Sequence, residues 1–375
     1  MSDKENNSLI SLDAWWPTAN RPCIISGPCS VETESQLLQT AHKLKATGKV
    51  HVLRGGLWKP RTRPDSFEGV GAQGIEWMLK ARVETGLPII TEVATAEHVE
   101  LCLKHEFDML WIGARTTVNP FSVQEIAECL RGVDIPIIVK NPVNPDLQLW
   151  IGAIERLMRS GIRKIAAMHR GFSHHGSSIY RNKPMWEIPI ALKTQWPELP
   201  VFCDPSHICG RRDLLLQVAQ RALDLGMNGL MLESHITPDQ AWSDALQQIT
   251  PEALSNLLDN LQVRATSTED VQFANGLLAL RSRIDKIDEE IIQLISDRMN
   301  ITREVGRYKK EHNITILQVE RWKEIIATRS MLAERLGLSA EFTEKYLEQI
   351  HKESIRTQTK VMNEIPKVET NSESI

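Results

Sequence analysis

Residues Pro200 to Arg212 read PVFCDPSHICGRR. Val201 and Phe202 are strand formers and Pro205 ends the run. Around and behind it stand Asp204, Ser206, His207, Cys209, Arg211 and Arg212, groups that bind metal, donate hydrogen bonds or hold anions. A buried strand that delivers polar chemistry at its carboxyl end is a recognisable unit, and the sequence repeats it. Seven more runs have the same form: CIISGPC (23–29), VHVLRGG (50–56), PIITEV (88–93), MLWIGA (109–114), PIIVKN (136–141), KIAAMHRG (164–171) and GLMLESH (229–235). Between them lie helix-like stretches such as ETESQLLQTAHKLKATG and LQLWIGAIERLMRSG, each stopping near glycine.

Eight strand–helix units predict a parallel α/β protein. A closed (β/α)8 barrel, the TIM barrel, competes with an open doubly wound sheet. No GxGxxG follows the first strand, and polar residues mark all eight strand ends instead of one or two crossover points, which favours the barrel. In a barrel those ends share one face, so Cys29, Arg54, Glu92, Arg115, Lys140, Arg170, His207 and Glu233 are expected to ring a single mouth.

The bulk numbers agree with a soluble enzyme. At 375 residues the chain exceeds one ordinary core and predicts about two domains. The net charge of -4 argues against nucleic acid as the main partner, while leaving room for local cationic pockets. The amino terminus lacks a basic-then-apolar signal pattern, and no apolar run is long enough to span a membrane, so a cytoplasmic location with no membrane partner is expected. The six cysteines form no CxxC pair, which suggests reduced thiols.

After Leu261 the pattern changes. The expected division is a barrel over 1–262, a polar linker over 263–272, an all-α helical domain over 273–360 and a disordered tail over 361–375. Leu277, Leu280, Ile284, Ile287, Ile291, Leu294, Ile301 and Val305 alternate by three and four, giving one apolar seam along a helix of nearly forty residues. Such a helix must pack against other helices or another subunit. Continuing the seam past Leu294 lands on Arg298, a charge that needs an acid or an anionic ligand. Ser354 and Gln358, spaced i and i+4, extend the apolar face of Leu347 and Ile350 on the last helix.

Two groups of residues carry chemistry in the barrel. Arg54, Lys59, Arg61, Arg63, Arg115, Lys140 and Arg170 are cationic, and guanidinium forks match phosphate and carboxylate oxygens. Cys29, His207, Glu233 and Asp244 form a thiol, imidazole and carboxylate set that suits a divalent transition metal. On spacing alone the four are too far apart to form a metal motif, and a buried thiol, a capped histidine and two solvated acids is the favoured reading. His174 and His175, in GFSHHGSS, are expected to be loop residues and not ligands.

GPCSVE, RGGLWKPRT, WIGAR, VKN, HRG, CDPSH and GLMLESH, followed by SDALQQITP, together resemble 3-deoxy-D-arabino-heptulosonate 7-phosphate synthase. The likeness runs from 22 to 252 in the right order. It implies a (β/α)8 barrel in which phosphoenolpyruvate condenses with erythrose 4-phosphate at a divalent metal such as Mn, Co, Fe or Zn. Carried over by motif, Cys29, His207, Glu233 and Asp244 would be the metal ligands. Arg54, Lys59, Ala114, Arg115, Lys140 and Arg170 would hold phosphoenolpyruvate, and Pro60, Arg61, Thr62 and Ser206 would face the sugar phosphate. Lys140 or Lys59 would move the proton. The sister synthase that uses arabinose 5-phosphate normally has a KANR-like stretch where this chain has KPRT. HRG stands where ERG is common.

LLALRSRIDKID, DRMNITREVGRYK and IHKESIRTQ are similar to the small all-helical chorismate mutases. The resemblance implies conversion of chorismate to prephenate without a cofactor, with Arg281, Arg298, Lys309, Ser354 and Gln358 contacting the substrate and Arg298, Lys309 and Gln358 stabilising the transition state. The LALR arginine usually enters the partner subunit's site, so Arg281 implies an intertwined homodimer. Gln318 and Trp322 occupy positions that are usually acidic. The expected whole is a bifunctional enzyme whose synthase is damped by prephenate or chorismate. The alternative is a single-activity synthase with a helical dimerisation or ligand-sensing module.

Overall fold

The eight apolar runs become eight strands: β1 (Cys23–Gly27), β2 (Val52–Arg54), β3 (Ile89–Val93), β4 (Met109–Ile112), β5 (Ile137–Lys140), β6 (Ile165–His169), β7 (Val201–Cys203) and β8 (Gly229–Glu233). They read as near-continuous hydrophobic stretches because parallel strands covered on both faces have no solvent side. The structure, a computed structural model, describes residues 8–18, 21–59, 67–265 and 270–364. All eight strands pair in parallel with their sequence neighbours, and β8 returns to β1 with Gly27 opposite Glu233, closing the barrel. The open-sheet alternative is thereby excluded. Gly27 lets the end of β1 lie close against β2: a Cβ there would lie 2.0 Å from the Arg54 carbonyl oxygen.

Side chains alternate along each strand. Ile25, Val52, Ile90, Trp111, Ile138, Met168, Phe202 and Met231 fill the interior, while Ile24, Leu53, Ile89, Leu110, Ile137 and Leu230 face the helical shell. Leu12, Trp15 and Trp16 join the inner cluster, with Trp16 and Phe202 rings 5.3 Å apart. With its filling apolar, the barrel keeps its polar groups at the carboxyl ends of the strands.

The shell comprises α1 (Glu34–Ala46), α2 (Gln73–Thr85), α3 (Ala96–Lys104), the short α4 (Ala114–Thr117), α5 (Pro120–Cys129), α6 (Leu147–Arg159), α7 (Glu187–Gln195), α8 (Pro205–Cys209), α9 (Leu215–Asp224) and α10 (Pro251–Asp259). Thr33, Thr95, Asp146, Asp204 and Thr250 cap their helices by accepting backbone N–H bonds, and Pro120, Pro205 and Pro251 occupy first helical positions where no N–H is needed. On α6 the spacing of Trp150, Ala153, Ile154, Leu157 and Met158 puts one face against the barrel. Emptying that face by Leu157→Ala would cost about 2–5 kcal/mol.

The chain divides into two compact units, Met1–Thr266 and Ser267–Ile375. The second holds α11 (Val271–Glu311), α12 (Val319–Arg335) and α13 (Ala340–Asn363), with α11 and α12 both packed on α13. Two boundaries differ from expectation. Asp270 accepts from the Gln272 and Phe273 N–H groups and starts α11 inside the expected linker, and α13 runs three residues past 360. Residues 266–269 and 365–375, within the expected linker and tail, lie outside the described residues. The seam on α11 is uncovered: Leu280, Ile284, Ile287, Ile291, Leu294 and Ile301 are all exposed, and only Leu277 is half-buried.

Candidate functional site

At the carboxyl ends of the strands, residues far apart in sequence converge. Cys29 follows β1 and its Sγ donates to Asp244 Oδ2 at 3.2 Å. Donor atoms of Cys29, Glu233 and Asp244 all lie within 4.8 Å of one another. His207, on α8, brings Nε2 to 3.8 Å from Glu233 Oε1. Its other nitrogen, Nδ1, is 2.7 Å from Asp204 Oδ2, so the proton on Nδ1 bonds the carboxylate and the lone pair of Nε2 faces Glu233. Glu233 Oε1 is buried without a hydrogen bond, although the Arg54 guanidinium stands 3.2 Å away. A lone pair and an anionic oxygen facing each other, beside a thiol and a second carboxylate, fit a divalent transition-metal cation.

Electrostatics prepare these groups unequally. Burial, reinforced by Glu233 and Asp244, pushes the Cys29 thiol up to about 12. Burial also keeps His207 neutral by lowering its pKa, against the pull of Asp204. For Glu233 and Asp244 burial opposes ionisation but is outweighed by the guanidinium charges beside them, Arg54 for Glu233 and Arg181 for Asp244, so both stay below the usual carboxylate range. Three of the four groups are therefore ready to coordinate, and the thiol needs a cation to lose its proton.

The cationic wall stands on the same face. Arg54 is fully buried, with its guanidinium carbon 4.9 Å from the centre of the Trp111 ring, and Lys140 Nζ is 5.4 Å from the same ring. Lys140 also bonds Asp204 Oδ2 at 2.7 Å, and burial lowers its pKa despite that partner. The Lys59 side chain crosses Gly56, where a Cβ would lie 2.7 Å from Nζ. Arg170 and Ala114 are buried at the ends of β6 and β4, and Arg115 is exposed beside them. The Ser206 hydroxyl accepts the Glu233 N–H at 2.9 Å, tying the sugar-phosphate candidate to a metal candidate. Pro60, Arg61 and Thr62, with Arg63, lie outside the described residues. His174 and His175 sit in the loop after β6, as expected of loop residues.

Arg181 and Gln247 were not singled out from sequence, and Asp204 was named only as a polar group behind its strand, without its partners. Asp204 joins Lys140 and His207, and its signal was the i, i+3 spacing to His207 across a helix-starting proline. Arg181 bonds Asp244 Oδ1 at 2.8 Å and Gln247 Oε1 at 2.7 Å, leaving Oδ2 to Cys29. Gln247 Nε2 donates to Glu233 Oε2 at 2.7 Å.

In the helical unit, Arg298 Nη1 donates to Ser354 Oγ at 2.6 Å, and Ser354 Oγ to the Ile350 carbonyl at 2.7 Å. Gln358 is buried one turn on, and its Oε1 has no hydrogen-bond partner. Gly306 allows this approach: a Cβ there would lie 3.3 Å from Gln358 Cα. Lys309 reaches the Ile316 carbonyl at 2.6 Å, and burial lowers the pKa of both Lys309 and Arg298. Trp322, at one of the expected acidic positions, stacks on His351 with centroids 3.9 Å apart, and Gln318 stands at the start of α12. Arg281 does not join this group. It lies 17 residues before Arg298 on the same helix, about 26 Å away at 1.5 Å per residue.

Residues 16–269 match the DAHP synthetase I family model, and residues 280–359 match the chorismate mutase type II family model. A phospho-2-dehydro-3-deoxyheptonate aldolase of Thermotoga maritima is 32% identical over 239 residues, 64% of this chain and 68% of that one. A 2-dehydro-3-deoxyphosphooctonate aldolase of Nitratidesulfovibrio vulgaris is 28% identical over 65% of this chain and 92% of its own. Among solved structures, a Thermotoga maritima DAHP synthase superposes with a TM-score of 0.57 at 31% identity, covering 63% of this chain and 66% of that one. A truncated form from the same organism gives 0.55 at 29% identity, covering 63% and 84%. Both activities are thus supported, and the chain belongs to the DAHP synthetase I family, with a chorismate mutase type II domain behind its barrel.

Proposed function

We propose that the barrel mouth joins phosphoenolpyruvate to erythrose 4-phosphate beside a divalent cation held by Cys29, His207, Glu233 and Asp244, releasing 3-deoxy-D-arabino-heptulosonate 7-phosphate and inorganic phosphate. The observation that carries the reading is the convergence of those four side chains next to Arg54 and Lys140. When bound, the cation polarises the aldehyde oxygen of the sugar. Arg54, Lys59, Ala114, Arg115, Lys140 and Arg170 hold the carboxylate and phosphate of phosphoenolpyruvate, while Ser206 serves the second phosphate, a role the family motif also assigns to Pro60, Arg61 and Thr62. The vinyl carbon forms the new carbon–carbon bond, water adds at the adjacent carbon, and the phosphate leaves. Lys140 is suited to passing a proton to the developing alkoxide, since burial already weakens its hold on that proton.

The helical unit takes chorismate. Arg298 and Lys309 pair with its carboxylates and ether oxygen, and Ser354 and Gln358 complete the pocket. The rearrangement needs no nucleophile and no cofactor, only a pocket that folds the dianion and stabilises charge on the ether oxygen. Arg281 serves the site of a second copy in a homodimer whose long helices cover each other's exposed seams, which supports an intertwined pairing. Prephenate or chorismate held there damps the synthase. A cytoplasmic location fits the absence, among the described residues, of any helix long and apolar enough to cross a membrane.

The test is phosphate release by the whole chain with phosphoenolpyruvate and either erythrose 4-phosphate or arabinose 5-phosphate, before and after removing and restoring metal. Turnover with the four-carbon sugar alone, lost with chelator and regained with manganese, is expected. Turnover only with the five-carbon sugar would overturn the substrate assignment, and full activity in chelator would overturn the metal.

A further inference from the structure

Cys29 and Asp244 approach one another from two loops, one after β1 and one after β8. The second is irregular, and Asp244 itself has a φ of 48°, the left-handed region that a residue with a Cβ rarely adopts. Something must hold it there, and a buried carboxylate stands at the junction. Glu32, three residues after Cys29, accepts the Trp242 N–H with Oε1 at 2.7 Å. Its Oε2 is 3.4 Å from His235 Nε2. His235 Nδ1 accepts the Thr237 N–H at 2.9 Å, so the ring proton sits on Nε2 and points at Glu32. Both Glu32 and His235 are almost wholly buried.

Two further links close the clasp. The Ser30 and Ser243 hydroxyls are 2.7 Å apart. Gln248 accepts the Cys29 N–H at 2.9 Å and donates to the Ser243 carbonyl at 2.8 Å. Residues 30 and 32 on one loop are thus fastened to residues 235, 242 and 243 on the other. Cys29 and Asp244 are the next residues outward on each side.

We infer that Glu32 is a positioning residue for the cation site: it touches no ligand atom but fixes the spacing and backbone of the loops that present Cys29 and Asp244. The inference rests on the reading of Cys29, His207, Glu233 and Asp244 as metal ligands. Partners that hydrogen-bond a metal ligand directly typically change metal affinity by about 10–100-fold when removed, and Glu32, acting through the loops, is expected at the low end of that range. Glu32→Gln keeps an oxygen for the Trp242 N–H but turns an amide N–H toward the proton on His235, whereas Glu32→Ala loses both bonds.

The experiment strips the whole chain of metal, then measures manganese affinity by calorimetric titration and the unfolding midpoint of the metal-free protein. Wild type, Glu32→Gln, Glu32→Ala and Ser30→Ala are compared. Affinity is expected to weaken about 10-fold in Glu32→Ala and by less in Glu32→Gln and Ser30→Ala. If Glu32→Ala does not fold, the manganese affinities of Glu32→Gln and Ser30→Ala decide the matter. A lowered midpoint with wild-type manganese affinity would make Glu32 a purely structural residue and overturn the inference alone. Failure of the wild type to bind manganese would overturn the ligand reading on which it rests.

Discussion

Asp204→Asn is the most informative single change in the barrel. The wild-type carboxylate is fully buried, accepts the His207 N–H with Oδ1 at 3.1 Å, and shares Oδ2 between Lys140 Nζ and His207 Nδ1, both at 2.7 Å. Asparagine can keep the first bond. Its NH2 group then meets an ammonium and an imidazole N–H, donor against donor on both sides. Breaking a buried ion pair from one side costs about 3–5 kcal/mol. Burial lowers the pKa of Lys140 and Asp204 opposes that shift, so the lysine sheds its proton more readily in the variant, which places the loss near the lower end, about 3 kcal/mol. At about 2–4 °C per kcal/mol, the barrel should unfold about 6–12 °C earlier.

The same change leaves the His207 ring without its orienting acceptor, so manganese affinity should fall about 10–100-fold. Calorimetric unfolding of the metal-free chain at neutral pH, with a manganese titration, reads both. Asp204 has a folded pKa well below its ordinary value, burial being outweighed by His207 and Lys140, so its contribution is full above the ordinary carboxylate range and is lost as pH falls through the folded value. The gap between wild type and variant should therefore narrow only on strong acidification. A midpoint shift under about 2 °C together with unchanged affinity would refute the reasoning.

Metal binding near neutral pH should release about one proton per ion, because a thiol at about 12 must become a thiolate, and affinity should rise with pH up to that value; titrations in two buffers of different ionisation enthalpy measure this. No release would remove Cys29 from the ligand set. Arg298→Ala should lower prephenate formation about 10²–10³-fold while phosphate release by the barrel, assayed without prephenate, persists. Equal loss of both activities would contradict independent sites. Arg281→Ala and Arg298→Ala chains, each inactive as mutases, should regain about a quarter of wild-type turnover when refolded together, since half the dimers are mixed and each mixed dimer has one intact site of two. No recovery would place Arg281 outside the partner's site.

Much of the barrel was legible because a doubly covered parallel strand has no polar face, so each strand showed as an apolar run ending in chemistry. Cys29, Glu233 and Asp244 come together because closure puts β1 beside β8. What could not be read were contacts that exist only after closure. Arg181 and Asp244 are 63 residues apart and Glu32 and Trp242 are 210 apart, with no periodicity connecting either pair. Asp204 was within reach, since an acid three residues before a histidine on a proline-started turn is a capping pattern, but nothing local announced Lys140 as its second partner. In the helical unit the three-four spacing identified the seam, yet spacing cannot say whether a face is covered by its own chain. Trp322 was visible as a departure, while its stacking partner His351 depended on how α12 and α13 pack.

The most direct test of the account is an anomalous difference map at the manganese edge, from crystals of the whole chain grown with the metal. The account predicts one strong peak among Cys29 Sγ, His207 Nε2, Glu233 and Asp244, within ordinary coordination distance of all four. An empty position there at saturating manganese, or a peak that leaves Cys29 and Asp244 bonded to each other, would contradict it.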